Sequence, residues 1–171
     1  NAGGPTPSPS TGVPDEIWES SLQSLLMSTI RLSEAAVKGM RERGWGRILT
    51  VASSGVIQPI PNLAVSNTVR SAVVGFTKTL SNEVAKDGIT VNMVLPGRID
   101  TERLASIHEA SANKEGITYE EFRDNSRSSI PARRFGTAKE FAEVAVFLMS
   151  VCASYITGSV IRVDGGVIQS V

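Results

Sequence analysis

Apolar residues recur at helical spacing over the first quarter of the chain. Ile17, Trp18, Leu22, Leu25, Leu26, Ile30, Val37 and Met40 predict one long helix from Pro14 to about Arg43. Pro14 suits the first helical turn, and Asp15 and Glu16 sit where acids favour the helix dipole. Gly44 is the expected stop. The run "RILTVAS", 47–53, changes to a short apolar stretch with β-branched residues and reads as a buried strand. Val65, Val69, Val73, Phe76, Leu80 and Val84 then mark a second amphipathic helix over 62–87, ended by Gly88. "ITVNMVL", 89–95, is a second strand, closed by Pro96 and Gly97.

The polar stretch 98–136 holds short helical patterns near 101–111 and 118–128. Thr137 and Glu140 form a capping-box signature ahead of "FAEVAVFLMS". "SVIRVD", 159–164, is a last strand before Gly165 and Gly166. Alternation of helices with buried strands argues for an α/β protein, a parallel sheet with helices on both faces. The expected architecture is a single domain over 1–171. Ligands of such sheets lie at the carboxyl ends of strands, here near Ser53 and Pro96.

Bulk composition changes this picture little. Lys+Arg and Asp+Glu both number 17, so the chain is neutral, and no basic stripe with interleaved aromatics suggests a nucleic-acid partner. One histidine and one cysteine cannot build a His/Cys zinc site, and no metal is expected. The lone Cys152 reads as a small buried core residue and favours a reducing compartment. No apolar run reaches the length of a membrane span. "NAGGPTPSPSTGVP" has linker composition.

Four stretches taken together resemble a known family. "GRILTVASSG", the helix after it, "DGITVNMVLPGRIDT" and "YITGSVIRVDGG" are similar to the short-chain dehydrogenase/reductases, in their 3-oxoacyl-carrier-protein-reductase-like branch. The resemblance runs over essentially the whole chain. It implies a Rossmann-type doubly wound parallel sheet. "NAGG" resembles the end of the family's Asn-Asn-Ala-Gly motif, which implies roughly 90 residues ahead of it, within the size of one α/β domain. The expectation is therefore the C-terminal two-thirds of such a domain, without the glycine-rich turn.

The family's chemistry uses a Ser, a Tyr and a Lys, with an Asn on the preceding helix. A phenol with a pKa of about 10 can be lowered by a neighbouring ammonium and serve as acid and base. Aligned by motif, the serine falls on Ser53, the tyrosine on Ser66, the lysine on Arg70 and the asparagine on Leu25. Only Ser53 is kept. Ser66 is a far weaker acid than a phenol. Arg70 stays charged, although its fork can hold ribose hydroxyls. The resemblance makes Ser53, Ser66 and Arg70 the catalytic candidates. Asn67 is a neighbour that could face the cleft, and Tyr119, His108 and, less so, Tyr155 are outside proton sources.

Cofactor contacts carry over more fully. Asn1, Ala2 and Gly3 match the loop beside the adenosine ribose. Pro96, Gly97, Ile99 and Thr101 match the Pro-Gly-x-x-x-Thr motif that holds the nicotinamide carboxamide, and Arg70 joins them. NAD or NADP is implied, with the choice open. The segment 98–136 corresponds to the family's substrate lid, and Asp164, Gly165 and Gly166 to a structural turn near a subunit interface. The implied protein is a cytoplasmic NAD(P)-dependent oxidoreductase acting on a small carbonyl or alcohol. Helix 62–87 and the last strand would join copies into a homo-dimer or homo-tetramer. The rival reading is an inactive cofactor-binding subunit or sensor that kept the fold.

Overall fold

The computed structural model describes residues 3–170. A parallel sheet forms its centre, in the order β1 (Gly46–Val51), β2 (Ile89–Pro96) and β3 (Val160–Val163). Gly46 stands opposite Ile89 and Met93 opposite Val160, so the register carries the carboxyl ends of β1 and β2 to one rim. Every residue from Ile89 to Leu95 is buried, as expected of a strand covered on both faces.

The helices that cover it are α1 (Asp15–Ser21), α2 (Ser28–Arg43), α3 (Ala64–Val84), α4 (Glu102–Glu115), α5 (Tyr119–Ser128) and α6 (Ala138–Met149). Between α1 and α2 the backbone stays helical but widens to i→i+5 pairing over Leu22–Met27. The predicted long helix is thus continuous with a π-type segment inside it. Gly44 and Gly88 end α2 and the turn after α3 in the left-handed conformation, as their positions predicted.

The stripe predicted on α3 is its buried face. Val65, Val69 and Val73 are at most 3% exposed, and Val84 is fully buried. Val73 packs with Met93 and Leu95 of β2, and Val84 with Val37 of α2 and with Ile89 and Val91. α6 packs against β1 and β2 from the remaining face. Its capping box is complete: Glu140 N donates to Thr137 Oγ1, and Thr137 N donates to the Glu140 carboxylate. Arg134 also grips that carboxylate and, as the leading cause, holds its pKa down to about 2.

At the amino end of the sheet Arg47 is 5% exposed yet meets no carboxylate among the described residues. Its guanidinium donates to the carbonyls of Gly46, Gly88 and Ser150 and to Ser154 Oγ. Asn92, 1% exposed, donates to Ile156 O and accepts from Ser159 N, tying the turn before β3 to β2. Cys152 contradicts its expectation. It lies exposed in the turn Val151–Ala153 after α6, because nothing among the described residues covers that turn.

Candidate active site

The rim at the carboxyl ends of β1 and β2 opens into a cleft of about 700 Å³. Its lining includes Ser53, Ser66, Arg70, Pro96, Gly97, Ile99 and Thr101. Residues from Gly4 to Ile168 therefore meet in one place. The volume lies within the range of small-molecule and cofactor sites.

Ser53 ends β1 in extended conformation and caps the turn Ser54–Val56. Its Oγ accepts from Gly55 N at 3.2 Å, which leaves its proton to donate into the cleft. Gly55 is buried against α3: a Cβ there would stand 2.3 Å from Asn67 Oδ1. Asn67 Nδ2 donates to Ile60 O at 2.9 Å. Asn67 thus fastens the 54–60 loop and does not line the cleft, contrary to the sequence suggestion.

Ser66 and Arg70 lie one turn apart on α3. Arg70 Nε donates to Ser66 Oγ at 3.3 Å. Burial, and then the like charge of Arg103, lower the Arg70 pKa from its usual value. Leu25, which the resemblance sets against the family asparagine, sits inside the π-type segment. It is 5% exposed and packs on Val65 and Val69. The small pocket beside it is shared with the hydroxyl residues Thr29 and Thr50 and with Arg70.

Pro96 and Gly97 close β2, and Gly97 N donates to Val163 O at 2.9 Å. The main chain passes very close here: a Cβ on Gly97 would stand 2.5 Å from Asp164 Cα. Asp164 accepts from Gly166 N and Ile168 N, which is the structural turn expected of it. Thr101 caps α4 by accepting from Leu104 N at 3.4 Å while it lines the cleft. Asn1 and Ala2 lie outside the described residues. Gly3 is exposed and outside the lining, which begins at Gly4.

The outside proton sources do not reach the cleft. Tyr155 is fully exposed beyond α6. His108 is 2% exposed, not solvated, with Nε2 3.1 Å from Ser126 Oγ and Phe122, Phe135 and Tyr119 around its ring. Burial first, then Arg123 and Arg98, lower its pKa, with Asp100 opposing. Tyr119 faces Arg123, which pairs with Asp100. These groups brace α4 and α5 against each other.

The sequence reading missed the charge of the cleft. Arg70, Arg98 and Arg103 line it and no carboxylate does, although the chain is neutral overall. One signal was present. Arg103 occupies the first turn of α4, where the helix dipole disfavours a cation. As built, the cleft can donate a hydroxyl proton to a ligand oxygen and place cationic forks around it. Its hydroxyls and guanidiniums suit the ribose and oxygen groups of a dinucleotide, while Leu63, Leu104 and Phe141 supply apolar wall.

The same residues align with known proteins. The family model described as "Enoyl-(Acyl carrier protein) reductase" matches residues 1–168. The 3-oxoacyl-[acyl-carrier-protein] reductase FabG of Escherichia coli is 36% identical over 154 residues, covering 89% of this chain and 58% of that protein. A Streptomyces coelicolor relative is 34% identical over 97% of this chain, which spans 64% of it. The chain therefore spans about three-fifths of the length of the curated relatives it matches. Among solved structures, L-sorbose reductase from Gluconobacter frateurii, complexed with NADPH and L-sorbose, superposes with a TM-score of 0.93 at 32% identity. It is matched by the whole of this chain over 65% of its own. YwfH, an NADPH-dependent reductase involved in bacilysin biosynthesis, superposes with a TM-score of 0.95 at 29% identity, covering 100% of this chain and 66% of its own. By sequence over nearly its full length and by its Rossmann-type sheet, the chain belongs to the short-chain dehydrogenase/reductase family.

Proposed function

We propose that the protein carrying this chain is an NAD(P)-dependent oxidoreductase that moves a hydride between nicotinamide and a small carbonyl or alcohol substrate. One observation carries the reading: Ser53, Arg70 and the Pro96–Thr101 turn line a single cleft at the strand ends. The cofactor, when bound, supplies or accepts the hydride. Ser53 donates its hydroxyl proton to the substrate oxygen. Arg70 holds ribose hydroxyls and, through its charge, favours the developing alkoxide. No tyrosine, lysine or histidine lines the cleft among the described residues, so the proton comes from water reaching Ser53 and Ser66. Helices α4 and α5, within 98–136, act as the substrate lid.

The relatives' names support the class: reductases of 3-oxoacyl groups and of a sugar. The active form in this reading is a homo-dimer or homo-tetramer in the cytoplasm. Val146, Val151, Tyr155 and Val160 form exposed apolar positions around α6 and β3 that suit such an interface.

The missing phenol favours a second reading, a subunit that binds cofactor without turnover. NAD(P)H fluorescence with a panel of ketones and aldehydes separates the two. Oxidation that falls in Ser53→Ala and Ser66→Ala upholds the enzyme. Binding without oxidation upholds the second reading. Turnover untouched by both substitutions would remove these residues from the site.

A further inference from the structure

We propose that Arg70 and Arg103 form a two-armed clamp across Gly4 that takes an oxyanion, phosphate or carboxylate, of the molecule bound in the cleft. The choice of ligand rests on the cofactor-and-carbonyl reading above. The Nη2 atoms of both arginines lie 3.4 Å from the point a Cβ on Gly4 would occupy. They are thus within about 7 Å of each other, half-buried Arg70 and exposed Arg103, and the charge of Arg103 adds to the lowering of the Arg70 pKa. Gly4 carries no side chain, so the approach between the two heads is open.

Among the described residues no carboxylate offsets this crowding. Arg70 uses Nε on Ser66 and leaves its outer nitrogens available. Neither Arg70 nor Arg103 has a carboxylate partner among the described residues. Arg98, by contrast, is anchored on Ser126 O and Ser129 Oγ and serves the α4–α5 packing. Arg103 also stands at the positive end of α4, a second local cost. Two elements, α3 and α4, hold two cations toward one glycine. A bound anion would offset both the mutual repulsion and the dipole penalty. Guanidinium forks match phosphate and carboxylate oxygens bidentately. The clamp also links α4 to the cleft floor when it is filled.

The test uses the intact protein with Arg103→Gln and Arg103→Lys. Inorganic diphosphate, oxalate and NADPH are titrated separately by calorimetry at low and at raised salt, with circular dichroism checking the fold. The expected result is that at least one anion binds the unaltered protein, weakens tenfold or more in R103Q and recovers partly in R103K. A diphosphate loss matched by an equal loss of NADPH affinity assigns the clamp to the cofactor's diphosphate. An oxalate loss with NADPH affinity intact assigns it to a substrate carboxylate. Both uphold the clamp. Anion binding absent from the unaltered protein, or unchanged in R103Q, overturns it. Failure of NADPH to bind the unaltered protein overturns the cofactor reading instead, and leaves the anion titrations to judge the clamp.

Discussion

Arg70 reaches back one turn of α3 to donate its Nε to Ser66 Oγ at 3.3 Å. Motif register sets the two residues against the family's lysine and tyrosine, the assignment on which the proposed function rests, and they are joined to each other as an i, i+4 spacing allows. On that proposed assignment the helix carries no phenol at this wall. Ser66 and Arg70 are both half-buried at the cleft wall, beside open volume.

That volume makes the chemistry restorable. The double substitution Ser66→Tyr with Arg70→Lys returns a phenol beside an ammonium. General acid catalysis contributes roughly 10²–10⁴-fold. The double variant is expected to raise kcat on reducible ketones by about a hundredfold or more, read by NAD(P)H oxidation. An unchanged kcat, with cofactor binding intact, would show that the substrate oxygen does not come to this wall.

Leu25 predicts the opposite outcome for the other lost residue. Placing an asparagine there puts a polar amide among Val65, Val69 and Trp18 and removes the leucine that packs on them. Removing a buried leucine side chain costs about 2–5 kcal/mol, before the amide's own desolvation. Leu25→Asn is expected to lower Tm clearly and to leave turnover no higher. A stable variant with raised turnover would mean that water reaches the π-type segment.

Gly97 sits where two strand ends nearly touch. A methyl group there meets the Asp164 main chain at 2.5 Å, which cannot swing aside as a long side chain can. Overpacking of this kind costs about 1–3 kcal/mol. Gly97→Ala should lower the unfolding free energy from denaturant titration by that amount and weaken cofactor binding with it. A variant of ordinary stability would contradict the close approach.

His108 gives a pH dependence with a definite sign. Its folded-state pKa lies below the ordinary histidine value, chiefly through burial, so the unfolded chain binds the proton more tightly. Its contribution to stability is whole above a pH of about 6.5 and is lost as pH falls from there toward the folded-state value. Arg123 and Arg98 face it and add to the lowering, while Asp100 opposes them. Thermal melts from pH 7.5 to 5 should show Tm falling, and His108→Gln, which can still meet Ser126, should flatten that slope. Equal slopes in both proteins would assign the loss elsewhere.

Much of this architecture was legible in the sequence. The strands announced themselves because "RILTVAS" and "ITVNMVL" are apolar runs bounded by Gly and Pro, and α3 because its valines repeat at three and four. The π-type segment at Leu22–Met27 was not legible. Its residues keep the apolar pattern of an ordinary helix, and only the hydrogen-bond ladder shifts. Cys152 misled for a related reason: its burial depends on what covers a turn, and neighbouring apolar residues do not decide that. Ser53, Ser66 and Arg70 came from motif register, and the structure brings them to one cleft. Arg103 escaped because no local pattern says where the start of α4 folds back to. His108 escaped because burial of a lone polar residue depends on Phe122 and Phe135, which lie on α5 and beyond it.

Arg47 has a further consequence for how such a chain can change over generations. One planar cation ties the starts of β1 and β2 to the turn ahead of β3, using carbonyls that any sequence supplies. The fold's anchorage is therefore remote from the rim where the chemistry is done. Side chains at that rim can be exchanged with little effect on the anchorage. If Ser66 and Arg70 are such exchanges, as proposed above, they sit at the mouth of a vessel whose base is sealed elsewhere.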